Sequence, residues 1–195
     1  MDSQIVFKNQ PKMNTEVQTT SNKLPSLKQL YGNKDIALRN TALSILLNAE
    51  PKQEWVKIHP ITKQNYMPIE RIEYLLTSIF GRWRVEVKSS SLVANSIQVI
   101  VRLHYIDPIT GDWEWQEGIG AAPLQTNQGA GAVEFNQIKS AAVQIAAPSA
   151  ETYAIKDAAE KLGKLFGKDL NRKDMINYNN LIESAVSRFT VLDSE

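Results

Sequence analysis

The chain has 195 residues, 43% of them hydrophobic, with 22 Lys and Arg against 21 Asp and Glu. That is enough apolar material for the core of one domain. The net charge of +1 means that any affinity for a polyanion must come from local clustering of cations. Cysteine is absent, which excludes disulfides, thiolate metal sites and a cysteine nucleophile.

The first 26 residues are polar and read as a flexible arm, 27–173 as the folded domain, and 174–195 as a C-terminal tail with a short helix over about Met175–Phe189. The N-terminus has neither the basic start nor the apolar run of a signal peptide, so the expectation is a protein that stays in the compartment where it is made. A first helix is expected from Asp35 to Ala49, where Ile36, Leu38, Leu43, Leu46 and Leu47 recur near helical spacing, with Asn33 or Asp35 as cap. Trp55–Met67 reads as loop or short strand. Pro68 suits the first turn of a second helix that runs to Phe80 and stops at Gly81.

The next segment alternates with period two. Trp83, Val85 and Val87 interleave with Arg84, Glu86 and Lys88; Ile97, Val99, Val101, Leu103 and Tyr105 with polar partners; Trp113 and Trp115 with Glu114 and Gln116. Three strands joined by short turns, one at Asp107–Asp112, make an antiparallel meander. Gly118–Ala132 reads as a mobile loop, and Val133–Ala147 fits either strand or helix. Pro148-Ser149 then opens a helix, with Ser149 as cap, whose stripe of Ile155, Ala158, Ala159, Leu162, Leu165 and Phe166 runs to Gly167. The fold class is α+β: a meander packed against helices at 68–80 and 149–166.

Little here suggests catalysis. His59 and His104 belong to no metal-ligand spacing, and no glycine-rich loop carries the Lys-Ser/Thr of a nucleotide-binding loop. Asp107, Asp112, Glu114 and Glu117 cluster about one turn, which reads as a solvated hairpin end ahead of a metal site. The cations are more suggestive. Arg71, Arg82, Arg84, Lys88 and Arg102 form a locally basic stretch; Lys161, Lys164 and Lys168 share a helical face, extended by Arg172 and Lys173. The plain reading of that helix is a solvated surface with Asp157–Lys161 and Glu160–Lys164 pairs. Trp83, Trp113, Trp115 and Tyr105 fall on the alternating apolar face, where core packing is expected ahead of base stacking.

The order of these signals resembles the Rad-fifty-two family of single-strand annealing proteins, including phage members of the Sak type. It consists of a helix ending Ile79-Phe80-Gly81, Trp83, a meander whose third strand carries Glu117-Gly118-Ile119-Gly120, and a helix ending in the stretch Lys161–Arg172, KLGKLFGKDLNR. The resemblance spans about Pro68–Lys173. It implies an ATP-independent, non-enzymatic protein without cofactor or metal. Such a protein forms a ring, holds single-stranded DNA by its backbone and anneals it to the complementary strand. It would act in recombination and double-strand break repair in the cytoplasm of a phage-infected bacterium, beside an exonuclease or host single-strand-binding protein. It further implies that Arg71, the only basic residue on the second helix, contacts DNA, as does Lys161; Glu160 stands where the family has an adjacent cation, so Lys156 and Lys164 are the substitutes. Lys139 is a secondary contact, and Arg84, Lys88, Arg102, Lys168 and Arg172 complete the DNA-binding set. The alternatives are a single-strand binder that does not anneal, a module for RNA, a metal-dependent nuclease using the turn acids, and a structural oligomer that binds no nucleic acid.

Overall fold

A computed structural model describes residues 32–60, 62–131 and 133–174. The N-terminal arm at 1–26 and the helix expected after Met175 lie outside the described residues. The elements are α1 (Lys34–Leu47), a short hairpin β1 (Lys57–Ile58) and β2 (Asn65–Tyr66), α2 (Ile69–Phe80), β3 (Trp83–Val93), β4 (Ser96–Ile106), β5 (Trp113–Pro123) and α3 (Ala142–Glu160). The protein is α+β, with a three-stranded antiparallel sheet in the order β3-β4-β5.

Two features position the sheet. Gly81 ends α2 with φ 70°, a conformation that costs glycine no Cβ clash. The chain then enters β3 directly, and Phe80 packs 4.6 Å from the ring of Tyr105 on β4. Asp107 accepts from the backbone N–H groups of Ile109 and Thr110, which closes the β4–β5 turn. Of the turn acids, therefore, Asp107 serves the backbone.

The odd-numbered residues of β4, Ile97 to Leu103, are buried against α2 and α3. Register places Gly118, Gly120 and Ala122 of β5 on that same side, opposite Val101, Val99 and Ile97. Above them runs an alanine column, Ala142, Ala146, Ala150, Ala154 and Ala158, at steps of four. All five are buried. A Cβ added at Gly118 would run into the carbonyl oxygen of Ala154 and lie 2.8 Å from Cβ of Ala158; one at Gly120 would strike the carbonyl of Ala150. Helix and strand thus touch almost backbone to backbone, and only glycine and alanine permit it.

Several expectations are corrected. The third strand extends through Gly118–Pro123, a stretch that reads as loop, because those small residues are what α3 packs on. Helix α3 begins at Ala142, ahead of Pro148, because burial of Ala142 and Ala146 carries the helix past it. Pro148 itself is exposed, so the backbone carbonyl it leaves unbonded can face water. Ser149 is no cap: its hydroxyl donates to the carbonyl of Ile145. The helix stops at Glu160 and gives way to a turn and a single 3-10 turn at Lys164–Phe166, so Lys161, Lys164 and Lys168 do not share a helical face. Helix α1 forms where expected, with the Asn33 side chain accepting from the N–H of Asp35. Yet only its Ala37 is buried, and Ile36, Leu38, Ile45 and Leu46 stay exposed.

Candidate nucleic-acid interface

Because the odd residues of β4 and the even residues of β5 point at the helices, the other parity of both strands forms a second face of the sheet. Register brings Arg84 and Glu86 (β3), Gln98, Ile100, Arg102 and His104 (β4), and Trp113, Trp115, Glu117 and Ile119 (β5) onto it. No helix of the described chain covers this face. Trp113 and Trp115 are 46% and 49% exposed, which overturns the expectation that they pack in the core. Two residues apart on a strand, they stand about 7 Å from each other.

Each indole is paired with a guanidinium from a neighbouring strand. Arg102 lies 4.2 Å from the ring centroid of Trp115, and Arg84 reaches across β4 to within 5.3 Å of Trp113. Such contacts hold long cationic side chains flat on the sheet while leaving part of each ring to solvent. Arg102 also bonds Glu117 through Nε at 3.2 Å and through its terminal nitrogen. Lys88, at the bulge between Val87 and Ser89, donates to Glu86 at 3.1 Å. Glu86 lies 3.0 Å from His104 as well, and these two partners hold its carboxyl down at about 2. Arg84 has no carboxylate partner among the described residues. The face therefore offers aromatic surface and three cations, Arg84, Lys88 and Arg102, against two carboxylates.

Trp83 and Tyr105 meet expectation. They lie on the helix side, where the Trp83 indole donates to the Thr77 hydroxyl and burial raises the phenol of Tyr105.

The remaining predicted cations lie elsewhere. Arg71 is exposed on α2 beside Trp55, 5.8 Å from its ring, with Lys52 at 5.1 Å. Lys156 lies in an open groove of about 990 Å³ between the β1–β2 hairpin and α3, 5.0 Å from the Tyr66 ring and 5.9 Å from that of Tyr153. Burial there lowers its pKa, and raises that of Glu160 to about 7 with help from the neighbouring Asp157. Lys139 is exposed on the loop before α3, and Lys168 is exposed beyond the 3-10 turn. Arg172 Nε lies 3.2 Å from Asp169 Oδ1, at an angle that makes no hydrogen bond.

Two assignments change character. Lys164 is buried, and its ammonium lies 3.5 Å from Glu50; it is not open to a phosphate, and the expected Glu160–Lys164 pair gives way to this one. Lys161 does pair with Asp157 at 3.2 Å, but its ammonium also donates to the backbone carbonyl of Glu117. Asp157 in turn accepts from the N–H of Ile119 at 3.0 Å. Both side chains serve the edge of β5. The set named from the sequence is thus divided within one chain. Arg84, Lys88 and Arg102 come together, Arg71 and Lys156 each sit with other aromatics, and Lys164 is withdrawn.

Among the described residues no three His, Asp or Glu side chains converge on a possible metal position, and no helix is long and apolar enough to cross a membrane. No protein-family model matches the chain, and no curated protein matches it.

Proposed function

We propose that this protein binds single-stranded nucleic acid on the open face of its sheet, without turning it over chemically, and promotes pairing of complementary strands. The observation that carries the reading is the pair of half-exposed indoles, Trp113 and Trp115, each with a guanidinium laid against it on a face no described helix covers. Unpaired bases offer π faces to such rings, and the flanking cations suit the phosphates between them. Every base has a π face, so stacking on the two indoles tolerates any sequence. Indifference suits annealing, which requires the protein to lower repulsion between two strands and leave the bases to choose.

The annealing step itself rests on the resemblance to the Rad-fifty-two family in the order of helix, meander and small-residue helix. The same resemblance supports a role in recombination and double-strand break repair. Three cations on one face are few, so several copies acting together supply the avidity.

The test uses the full chain, a labelled oligonucleotide, and its unlabelled complement, without nucleotide or divalent metal. Binding is expected to be tight at low salt and to weaken steeply with salt, and pairing to run faster with protein than without. Trp113→Ala/Trp115→Ala should lose binding while melting at the wild-type temperature. A folded double variant that binds and anneals like wild type would remove the sheet face from the reading. Tight binding with slowed pairing would replace annealing by sequestration.

A further inference from the structure

Helix α1 carries more apolar surface than the described fold uses. Ile36, Leu43 and Leu47 lie on one side of it, and Leu38, Ala42, Ile45 and Leu46 follow at helical spacing on the other. The second set is exposed throughout, Leu46 to 46%. Among the described residues the helix packs chiefly on the 3-10 turn at Lys164–Phe166. A helix apolar on both sides calls for cover on both sides. Its C-terminal end is tied to the segment that leads out of the described fold: the Leu47 carbonyl lies against Gly163, and Glu50 pairs with Lys164. Backbone bonds from Gly167 to Lys164, from Leu170 to Gly167 and from Arg172 to Asp169 keep that segment compact as far as Arg172.

We infer that residues 178–192 of the same chain dock as a helix, antiparallel, on the Leu38–Leu46 stripe of α1. The occupant is argued from its sequence and from where the chain leaves the described fold. Tyr178, Leu181, Ile182, Ala185, Phe189 and Leu192 recur at three- and four-residue spacing, with Asn180, Glu183, Ser184 and Ser187 on the opposite side. A helix of that length is marginal in water unless its stripe is covered. At 1.5 Å per residue it spans about 22 Å, and α1 about 21 Å. The segment departs near the C-terminal end of α1 and meets that end first; a parallel arrangement would first have to return along the whole helix. In one antiparallel register Leu46 stands opposite Leu181, Ile45 opposite Ile182, Ala42 opposite Ala185 and Leu38 opposite Phe189. The small residues thus meet at the centre, where two packed helices come closest. Asp193 arrives at the N-terminal end of α1, where the helix dipole favours negative charge.

A tethered occupant suits this stripe better than a separate molecule does. One helix face about 21 Å long and 10 Å wide offers on the order of 200 Å², about a quarter of what each partner of a stable complex buries. A segment already joined to the domain loses far less freedom on docking, so a small contact suffices. Neither α1 nor the tail belongs to the open face of the sheet, so the inference stands apart from the proposed function.

The test uses the full chain with no nucleic acid present. Because the sequence has no cysteine, a pair introduced by substitution is the only one. On mild oxidation Ala42→Cys/Ala185→Cys is expected to form a disulfide that runs at the size of one chain on a denaturing gel. Ala42→Cys/Ser187→Cys, with its second position on the far side of the tail, should form one about tenfold more slowly. Hydrogen exchange over 178–192 gives a second measurement. Wild type should be protected there, and Leu38→Asp/Leu46→Asp should lower that protection about tenfold or more while β4 keeps its own. Should that variant lose the protection of β4 as well, Leu38→Ala/Leu46→Ala takes its place. A cross-link between two chains would give the stripe to a second copy and overturn the inference. Equal rates for the two cysteine pairs, a wild-type tail that exchanges freely, or a tail whose protection ignores the α1 substitutions would each overturn it too.

Discussion

The two faces of the sheet are made by alternate residues of the same strands, yet they obey opposite rules. On the covered face β5 contributes Gly118, Gly120 and Ala122, and the buried residues of α3 are all alanines; bulk is excluded where the two backbones approach. On the open face the same strand contributes Trp113, Trp115 and Ile119, all about half exposed, with guanidiniums laid against the indoles. The difference shows where a strand places its large side chains. The covered face derives stability from closeness, and the open face holds its largest apolar groups where they can meet something outside the chain.

The sharpest way to break this contrast is to put bulk on the covered side. Gly120→Val would drive α3 off the sheet and should cost about 3 kcal/mol or more of stability, seen as a lower denaturant midpoint with binding lost as a consequence. Ile119→Val, one residue away on the open face, should shift the midpoint by no more than about 1 kcal/mol.

Substitution of the indoles should do the reverse. Trp115→Ala should weaken oligonucleotide binding by about tenfold, at roughly 1–3 kcal/mol per stacked base, and leave the midpoint nearly unchanged. Fluorescence titration beside a denaturant curve separates the two effects.

A smaller effect belongs to the covered side's outer rim. Glu160 has its carboxyl raised from 4.5 to about 7. The folded protein therefore holds this proton more tightly than the unfolded chain does. That contribution is fully present below pH 4.5 and is lost as pH rises toward 7. Glu160→Gln should flatten the stability profile across that window and leave the variant more stable than wild type at about pH 8, by about 1 kcal/mol after allowance for solvent screening. The smallest change expected is in salt response. Arg84→Ala should lower the slope of log affinity against log salt by about 0.7, the value for one phosphate contact on a single strand, whereas Lys164→Ala should leave the slope unchanged while destabilising the fold.

Much of the fold can be read directly. The alternation from Trp83 to Trp115 specifies the strands, and the Asp107–Asp112 turn their antiparallel order. The site is less legible. Trp113 and Trp115 read as core because aromatics on an alternating pattern usually are. A signal that corrects this is present in the small residues of opposite parity, Gly118, Gly120 and Ala122, which match the alanines repeating every four residues from Ala142 to Ala158. Lys161 and Lys164 read as one cationic face only if Gly163 is interior to a helix. In the structure it follows the helix end, and a Cβ there would meet the carbonyl of Leu47.

From its residues alone the chain determined that α1, α2 and the three-stranded meander form, and which face of β4 is apolar, since periodicity and turn chemistry act over a few neighbours. Tertiary structure alone decided that β5 runs on to Pro123 and α3 starts at Ala142, that the aromatic parity of β5 is the open one, and which lysines are committed to backbone or to a carboxylate. Those outcomes depend on which surface arrives from a distant part of the chain. On β5 the large residues of one parity alternate with Gly118, Gly120 and Ala122 of the other, and the alanine column of α3 packs on the small ones.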